Sequence, residues 1–344
     1  MPPNNKLSES EIRPDDLMQK QRIAMLSDIG RLLSKRSDFV LITCPACDSG
    51  KYSKCYEKYG LDYVLCQNCE TMYINPRPSH DVLEWFYRES ENYAYWNKYI
   101  FPASEEARHK KIVIPRVEKV LDLCSKYRIA SEAILEVGAG FGTFCREVAV
   151  RGAFNRVVAI EPTPDLANTC REKGIEVIES SIENVDFSNG DKFDVVVSFE
   201  VIEHLFSPKS FLAACWNVLK DDGIIIVTCP NAKGFDFITL GSFCNSADHE
   251  HLNYFNPVSL TLLLQRCGFE MLECLTPGRL DAELVRKKIL AGEFDVSHQP
   301  FLQQILIDKW EQVGEAFQDF LSKSGLSSNM WLVARKKTIE GGKR

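Results

Sequence analysis

The stretch Ile134-Leu135-Glu136-Val137-Gly138-Ala139-Gly140-Phe141-Gly142 decides how the rest of this chain is interpreted. An apolar run leads into three glycines at alternate positions, and apolar residues at helical spacing follow. Glycine lets the backbone turn sharply and approach a ligand closely. The next apolar run ends in Glu161, about 20 residues further on, where a nucleotide-binding fold places the acid that binds a ribose. The stretch therefore predicts a strand, a glycine-rich loop and a helix, arranged either around a nucleotide or as an ordinary turn.

The spacing of the glycines separates two classes of nucleotide site. A dinucleotide site reads Gly-x-Gly-x-x-Gly, whereas Gly138, Gly140 and Gly142 are evenly spaced and Glu136 precedes them by two positions. This pattern resembles the class I S-adenosylmethionine (SAM)-dependent methyltransferases more closely than a dehydrogenase. The resemblance implies SAM as the cofactor and an α/β fold, with a doubly wound, mostly parallel, Rossmann-like sheet of seven strands.

From residue 131 onward, apolar runs alternate with helical patterns. Alternation with short connections is typical of a doubly wound parallel sheet. Helices are predicted at 142–151, 164–173 and 208–220. Strands are predicted at 133–138, 156–161, 175–179, 193–199, 223–229, 269–275 and 329–336.

The resemblance also implies which residues hold the cofactor. Ligands of open α/β sheets lie at the carboxyl ends of the strands, so we expect Ser198 and Phe199 to face the methionine end of SAM or the acceptor. Many relatives carry an acid after the third strand that binds the adenine amino group, but this chain has Ser181 and Ile182 there. Either Ser181 takes that role, or stacking and a backbone amide hold the adenine. The predicted set is Glu136, Gly138, Ala139, Gly140, Gly142, Glu161, Ser181, Ile182, Ser198 and Phe199.

Four cysteines precede these motifs as two pairs, Cys44 with Cys47 and Cys66 with Cys69. Two-residue gaps let both thiolates of a pair face one ion, and two pairs complete a closed tetrahedron. We therefore predict a structural Zn²⁺ in a zinc ribbon, the alternative being four cysteines without a metal. Most other cysteines lie singly in apolar runs, which fits a reducing compartment and predicts a cytoplasmic protein.

A second informative stretch is Asp248-His249-Glu250-His251. A histidine can take a proton near neutral pH, and an adjacent carboxylate can orient it. The stretch resembles the acceptor loop of zinc-containing sugar C-methyltransferases. The resemblance implies that Glu250, His251 and His204, which follows the fourth strand, surround the acceptor, with His251 as the base. The alternative is that Glu250 and His251 only tie the loop down.

The remaining segments complete the predicted organisation. Apolar spacing between residues 11 and 35 predicts one amphipathic helix, either packed on the main domain or forming a homodimer contact, and residues 1–10 are expected to be frayed. An aromatic cluster at 91–101 is either a packing seam or a lid. The predicted divisions are an N-terminal helix at 1–37, the zinc ribbon at 38–78, a helical and aromatic connector at 79–130, the methyltransferase domain at 131–338 with a helical insertion at 280–322, and a tail at 339–344.

Composition limits the partners. The net charge of −7 gives no general attraction to nucleic acid, and no apolar run reaches the roughly 20 residues of a membrane span. The resemblance then implies methyl transfer to a small-molecule acceptor, with a nucleotide-linked sugar of polysaccharide or natural-product synthesis as the example.

Two alternatives stay open. A ribosomal-RNA base methyltransferase needs a basic face, but residues 38–78 hold more acidic than basic side chains. A non-catalytic interaction protein with a vestigial SAM fold is harder to reconcile with the complete glycine pattern. The charged residues of the ribbon segment are Lys51, Lys54, Lys58 and Arg77 against Asp38, Asp48, Glu57, Asp62 and Glu70.

Overall fold

A computed structural model describes residues 7–187 and 190–337. The predicted tail at 339–344 and the first six residues lie outside this described part. The chain divides into two compact units, which we call the ribbon unit and the sheet unit. The ribbon unit holds residues up to 107, 230–259 and 275–330, and the sheet unit holds 108–229, 260–274 and the residues from 331.

The described residues form thirteen strands, several of them very short. In chain order they are β1 Phe39–Val40, β2 Tyr52–Lys58, β3 Leu61–Cys66, β4 Met72–Ile74, β5 Arg77–Pro78, β6 Ala133–Val137, β7 Arg156–Ile160, β8 Glu176–Ile178, β9 Phe193–Phe199, β10 Leu219–Pro230, β11 Asn253–Tyr254, β12 Phe269–Leu275 and β13 Asn329–Lys336.

The helices of the described residues are interrupted by π-helical turns at Trp96–Ile100, His109–Val113 and Gln304–Asp308. The α-helices are α1 Glu9–Ile12, α2 Asp15–Leu33, α3 His80–Glu89, α4 Glu91–Tyr95, α5 Phe101–Arg108, α6 Ile114–Tyr127, α7 Thr143–Val150, α8 Pro164–Glu172, α9 Pro208–Val218, α10 Phe235–Leu240, α11 Pro257–Arg266, α12 Asp281–Leu290, α13 Pro300–Gln303 and α14 Trp310–Lys323. None of them combines the length and apolar character that a membrane span requires.

The sheet unit is built on the seven strands that the sequence predicted. Their order is β12-β13-β10-β9-β6-β7-β8, and β10, β9, β6, β7 and β8 run parallel to one another. Every residue of β6 and β9 is buried, which explains why both read as continuous apolar runs. The predicted fold class is confirmed. The largest boundary difference is at β10, which begins at Leu219 rather than 223 because an irregular register precedes Ile224.

The ribbon unit is organised around a four-stranded sheet in the order β11-β4-β3-β2, with all three pairs antiparallel. Strands β2, β3 and β4 come from the predicted zinc ribbon. Strand β11 instead comes from the segment that directly follows the histidine-rich stretch. The sequence contains no local signal for this pairing, because two residues are too few to show strand periodicity.

The N-terminus differs from its prediction in two ways. Residues 7–10 are held rather than frayed: the backbone N–H of Glu9 donates to Glu283, and Lys287 Nζ lies 3.0 Å from the Glu9 carboxylate. The single helix predicted over 11–35 is also wrong, because Pro14 separates α1 from α2. A proline disfavours helical backbone in the residue before it, here Arg13.

The buried face of α2 is narrower than its apolar spacing predicted. Ile29 and Leu32 are buried, and Leu32 packs in a cluster with Phe86 of α3. Ile23 and Leu26 are 73% and 50% exposed. Helical periodicity alone therefore marked more of this helix as inward-facing than the neighbouring elements cover.

Candidate functional site

The glycine loop, residues 138–142, connects β6 to α7 in the sheet unit. Gly138, Gly140 and Gly142 all have positive φ, at 81°, 55° and 65°. That backbone region is costly for residues with a Cβ, so the alternating glycines meet a conformational need. The N–H of Gly142 donates to the carbonyl of Ala139 at 2.9 Å, which closes the turn immediately before the helix.

The three glycines differ in what surrounds them. A Cβ added at Gly138 would lie 2.5 Å from a methyl of Val201, and one at Gly142 would lie 2.7 Å from the sulfur of Cys170. Apart from its chain neighbours, a Cβ added at Gly140 would meet no atom of residues 7–187 or 190–337 within 4 Å. Gly138 and Gly142 are therefore needed for packing inside the protein, whereas the backbone at Gly140 borders open space that a ligand can occupy.

Glu161 follows β7 and closes the loop from a second side. Its two carboxylate oxygens accept hydrogen bonds from the N–H groups of Gly140 at 2.8 Å and Thr163 at 2.9 Å. The side chain is almost fully buried, and burial raises the pKa of Glu161 although both N–H donors lower it. An oriented carboxylate next to Gly140 is suited to accept hydrogen bonds from a pair of hydroxyl groups.

Glu136 is the penultimate residue of β6, two positions before Gly138, and it is also buried. Burial raises the pKa of Glu136 to about 7, although the thiol of Cys145 and the charge of Arg116 lower it. The Cys145 sulfur lies 3.1 Å from the carboxylate. Glu136 therefore contacts α7, and its predicted cofactor role stays a prediction.

Ser198 and Phe199 end β9, next to β6 in the sheet. The Ser198 hydroxyl donates to the carbonyl of Val137 at 3.0 Å, so this side chain ties the two strand ends together. The Phe199 ring lies 5.0 Å from that of Phe144, and the guanidinium of Arg116 lies 4.2 Å from its centre. Sequence reasoning missed Arg116, because only tertiary packing brings a residue of α6 to the end of β9.

Ser181 and Ile182 follow β8, the edge strand beside β7. Ser181 precedes a short 3₁₀ turn, Ile182–Asn184, and Ile182 is buried. Since β9, β6, β7 and β8 are adjacent and parallel, their carboxyl ends share one edge of the sheet. The structure thus brings the predicted cofactor residues to a single edge, as the sequence reasoning expected.

The backbone conformation at the end of β9 is another feature of this edge, and the sequence does not reveal it. Glu200, directly after β9, has φ of 57°, an uncommon value for a residue with a side chain. Its carboxylate accepts from Thr228 at 2.6 Å, and its N–H donates to the Thr228 carbonyl at 3.0 Å. Such strained positions cluster at functional sites. His204 follows shortly after, in the 3₁₀ turn Ile202–His204 of the same unit.

The four predicted metal ligands form one cluster in the ribbon unit. The sulfurs of Cys44, Cys47, Cys66 and Cys69 all lie within 4.8 Å of one another, and none of the four forms a disulfide. Two of the separations, Cys44 to Cys69 and Cys47 to Cys66, are 3.5 Å. Tetrahedral zinc thiolates require sulfurs about 3.8 Å apart, so the arrangement suits that ion. Cys55, also in the ribbon, is outside the cluster.

The two halves of the cluster have the same backbone design. The N–H of Asp48 donates to the Cys44 carbonyl at 2.9 Å, and the N–H of Glu70 donates to the Cys66 carbonyl at 3.0 Å. Asp48 and Glu70 both have positive φ, at 61° and 56°. Each turn therefore folds back directly after its second cysteine and directs both sulfurs to one side.

The histidine loop, which we define as residues 246–256, belongs to the ribbon unit. Nδ1 of His251 lies 2.9 Å from the carbonyl oxygen of Ser246. A carboxylate oxygen of Asp248 lies 3.6 Å from the same ring nitrogen. Glu250, which the sequence reasoning paired with His251, accepts a hydrogen bond of 2.5 Å from the side-chain amide of Asn92 in α4.

His249 is buried in this loop, and the side chain of Glu250 is 14% exposed. Burial, together with the negative charges of Asp248 and Asp28, raises the pKa of Glu250 to about 8, although the hydrogen bond from Asn92 lowers it. Burial lowers the pKa of His249, whose Nε2 lies 3.7 Å from the Glu250 carboxylate. Neutral forms of both side chains are therefore favoured near pH 7.

Comparison with known proteins adds independent information. Residues 108–274 match a family model described as a methyltransferase domain. The chain is 26% identical over 157 residues to a ubiquinone biosynthesis O-methyltransferase of Saccharophagus degradans, which covers 42% of this chain and 66% of that protein. It is 30% identical over 161 residues to the protein of the same name from Dinoroseobacter shibae, covering 43% and 64%.

The chain therefore spans slightly less than two thirds of the length of these curated relatives. Among solved structures, a S-adenosylmethionine-dependent methyltransferase from Clostridium acetobutylicum is 10% identical, with a TM-score of 0.47. That alignment covers 71% of this chain and 99% of the other.

Proposed function

Residues 108–274 form a class I SAM-dependent methyltransferase domain, and on that premise we propose that the protein binds SAM and transfers its methyl group to a small-molecule acceptor. One observation carries the proposal. Of the three loop glycines, Gly138 and Gly142 face packed side chains, and only Gly140 borders open space next to an oriented carboxylate. An ordinary βα turn does not require this combination.

The residues present fit the cofactor. Gly140 lets the loop backbone approach the ligand, and the Glu161 carboxylate provides acceptors for the two ribose hydroxyls. Ser181 and Ile182 are the residues that we propose beside the adenine, and Ser198 and Phe199 those beside the methionine end. When bound, SAM supplies an electrophilic methyl group attached to a sulfonium.

We assign the base to His251, in agreement with the predicted role of its loop. A carbonyl oxygen can only accept a hydrogen bond, so Nδ1 must carry the proton directed at Ser246. The neutral ring then has its lone pair on Nε2, which is the form that accepts a proton from a hydroxyl. Glu250, which precedes His251 in the loop, is proposed to act on the acceptor in its neutral form as a hydrogen-bond donor.

The acceptor that we propose is a hydroxyl-bearing small molecule, with nucleotide-linked sugars as the first class to test. The resemblance of the histidine loop to that of zinc-containing sugar C-methyltransferases supports the sugar, though not the atom methylated. The names of the curated relatives, which are O-methyltransferases, support oxygen as the methylated atom.

The cysteine cluster is proposed to hold one structural Zn²⁺. Four thiolates leave no coordination position open, so the ion would stabilise the ribbon rather than take part in chemistry. Elemental analysis should find one zinc per chain, and Cys66→Ser should lose it. Cys55→Ser, which changes a thiol outside the cluster, should retain it. Full zinc content in Cys66→Ser would contradict the assignment.

Transfer of an isotopically labelled methyl group tests the function directly. The purified protein is incubated with labelled SAM and two panels, nucleotide-linked sugars and phenolic hydroxyl compounds. We expect label in a sugar product. Label only in the phenols would show that the acceptor class is wrong, and absence of SAM binding would refute the whole proposal.

A further inference from the structure

The peptide at Asp248 is held from two directions within the ribbon unit. Its carbonyl oxygen accepts hydrogen bonds from the hydroxyls of Tyr63, at 2.6 Å, and Tyr254, at 2.9 Å. Tyr63 belongs to β3 of the ribbon, whereas Tyr254 belongs to the histidine loop itself. The N–H of Asp248 also donates to the Tyr254 hydroxyl at 3.1 Å. The backbone of Asp248 is thus fixed to the ribbon core, where both tyrosine rings are buried.

The side chain of Asp248 in turn organises the residues after it. One carboxylate oxygen accepts from the N–H groups of Glu250, at 2.9 Å, and His251, at 2.8 Å. The other oxygen lies 3.6 Å from Nδ1 of His251. This turn brings the His251 ring back to the carbonyl of Ser246, whose oxygen accepts a hydrogen bond from Nδ1–H.

The far end of the loop is anchored to the ribbon as well. Arg77, which is fully buried, donates to the side-chain oxygen of Asn253 at 2.9 Å and to the carbonyl of Leu252 at 3.4 Å. Asn256 donates to the carbonyl of Glu70 at 2.9 Å, immediately after the last metal-ligand cysteine. Both ends of the histidine loop therefore depend on ribbon residues that lie far away in the sequence.

We propose that Asp248 is a positioning residue that fixes the orientation and tautomer of His251, and that Tyr63 connects this device to the zinc ribbon. The inference rests on the proposed role of His251 as the base. The ribbon thereby gains a specific role, because it holds the carbonyl of Asp248 so that the Asp248 carboxylate sets the turn leading to His251. A neutral imidazole with Nδ1 protonated then has Nε2 as its basic atom.

The test determines which ring nitrogen of His251 carries the proton, and it requires no methyl transfer. Histidine rings are labelled with ¹⁵N in the zinc-loaded, full-length protein, and long-range proton–nitrogen spectra are recorded at alkaline pH, where imidazoles are neutral. The His251 signals are identified by their loss in His251→Gln. In the wild type they should report a ring protonated at Nδ1.

Three variants separate positioning from general stability. Asp248→Ala should change the His251 signals to those of a ring that exchanges between both tautomers, because the turn loses the carboxylate that accepts from two backbone N–H groups and lies beside Nδ1. Tyr63→Phe should shift them in the same direction by a smaller amount. Tyr56→Phe is the matched control: its ring stacks on Tyr63 at 4.8 Å, but its buried hydroxyl has no hydrogen-bond partner among the described residues. It should leave the signals unchanged.

Unchanged His251 signals in Asp248→Ala would overturn the proposal, as would equal shifts in Tyr63→Phe and Tyr56→Phe. Melting temperatures and zinc content of each variant confirm that the comparison is made between folded, loaded proteins. Because the spectra need neither SAM nor acceptor, failure of this inference and failure of the proposed methyl transfer are observed separately.

Discussion

The glycine loop and the histidine loop reach a defined shape by opposite means. The glycine loop takes its conformation from its own residues, through three positive φ angles and a hydrogen bond from Gly142 to Ala139. The histidine loop combines local hydrogen bonds from Asp248 with partners elsewhere in the chain, among them Tyr63, Arg77 and Asn92. The backbone shape of the first is therefore set mainly by its own glycines, whereas the second also depends on distant residues of the ribbon.

This difference has a consequence for substitution. A change inside the glycine loop acts on the loop itself and on whatever binds there. A change in the ribbon acts at a distance, through hydrogen bonds to backbone groups of the histidine loop. The predictions below test that separation, beginning with the largest expected effect.

The largest effect is expected for His251→Ala. If this residue is the base, turnover should fall by about 10²–10⁴-fold while SAM affinity stays near the wild-type value, since the glycine loop is untouched. Steady-state kinetics and calorimetry on the same preparation measure both quantities. The matched control is His298→Ala, which removes an exposed imidazole of the ribbon unit. A parallel loss of SAM affinity in His251→Ala would contradict the view that the two loops act independently, one in turnover and the other in SAM binding.

An intermediate effect is expected for Gly142→Ala. The new methyl group would lie 2.7 Å from Cys170 Sγ and 2.8 Å from Ile175 Cδ1, in a backbone conformation with φ of 65°. Overpacking together with the positive φ should destabilise the protein by about 2–4 kcal/mol. Gly152→Ala isolates the backbone contribution, because its φ is 59° and its surroundings are open. It should cost about 1–2 kcal/mol. Equal melting temperatures for the two variants would contradict the packing role of Gly142.

The smallest effect concerns the pH dependence of stability. In the folded protein the pKa of Glu250 is raised from 4.5 to about 8, so the native state holds a proton that the unfolded chain releases. This contribution to stability is complete below about pH 4.5 and is lost as pH rises towards 8. Glu250→Gln keeps the acceptor for Asn92 but has no proton to release.

The melting temperature of Glu250→Gln relative to wild type should therefore increase between pH 5 and pH 8.5, in line with the shift of the Glu250 pKa. Glu89→Gln, a change at an exposed carboxylate at the end of α3, should show no such trend. A constant difference across this range for Glu250→Gln would mean that Glu250 ionises normally in the folded protein.

The fold of the sheet unit could be predicted closely because its signals are local. The apolar run of β9 was predicted with its observed bounds, Phe193–Phe199, since a strand buried on both faces reads as a continuous apolar segment. The same holds for the cysteine pairs, whose spacing alone predicted the cluster. The prediction of a single N-terminal helix was wrong because apolar spacing does not register Pro14, which ends the helical pattern locally.

Other features of the candidate site have no counterpart in the sequence. The pairing of β11 with β4 joins two segments that lie far apart in the chain, and neither shows a periodic pattern. The resemblance identified Glu250 and His251, but only the structure shows that Asp248 lies beside the His251 ring and that Glu250 binds Asn92. Side-chain partners of this kind depend on tertiary packing, which short-range patterns do not encode.

The most direct test of the central claim is a calorimetric titration of SAM into three proteins: wild type, Gly140→Val and Gly152→Val. Both substitutions place a β-branched residue at a positive φ with open surroundings, at 55° and 59°, so both should lower stability similarly. Only Gly140→Val places its side chain where the cofactor is proposed to lie. We predict that wild type and Gly152→Val bind SAM alike, while Gly140→Val binds at least about 100-fold more weakly, a difference of about 2.7 kcal/mol. Equal SAM affinity in all three proteins would show that the glycine loop is only a turn.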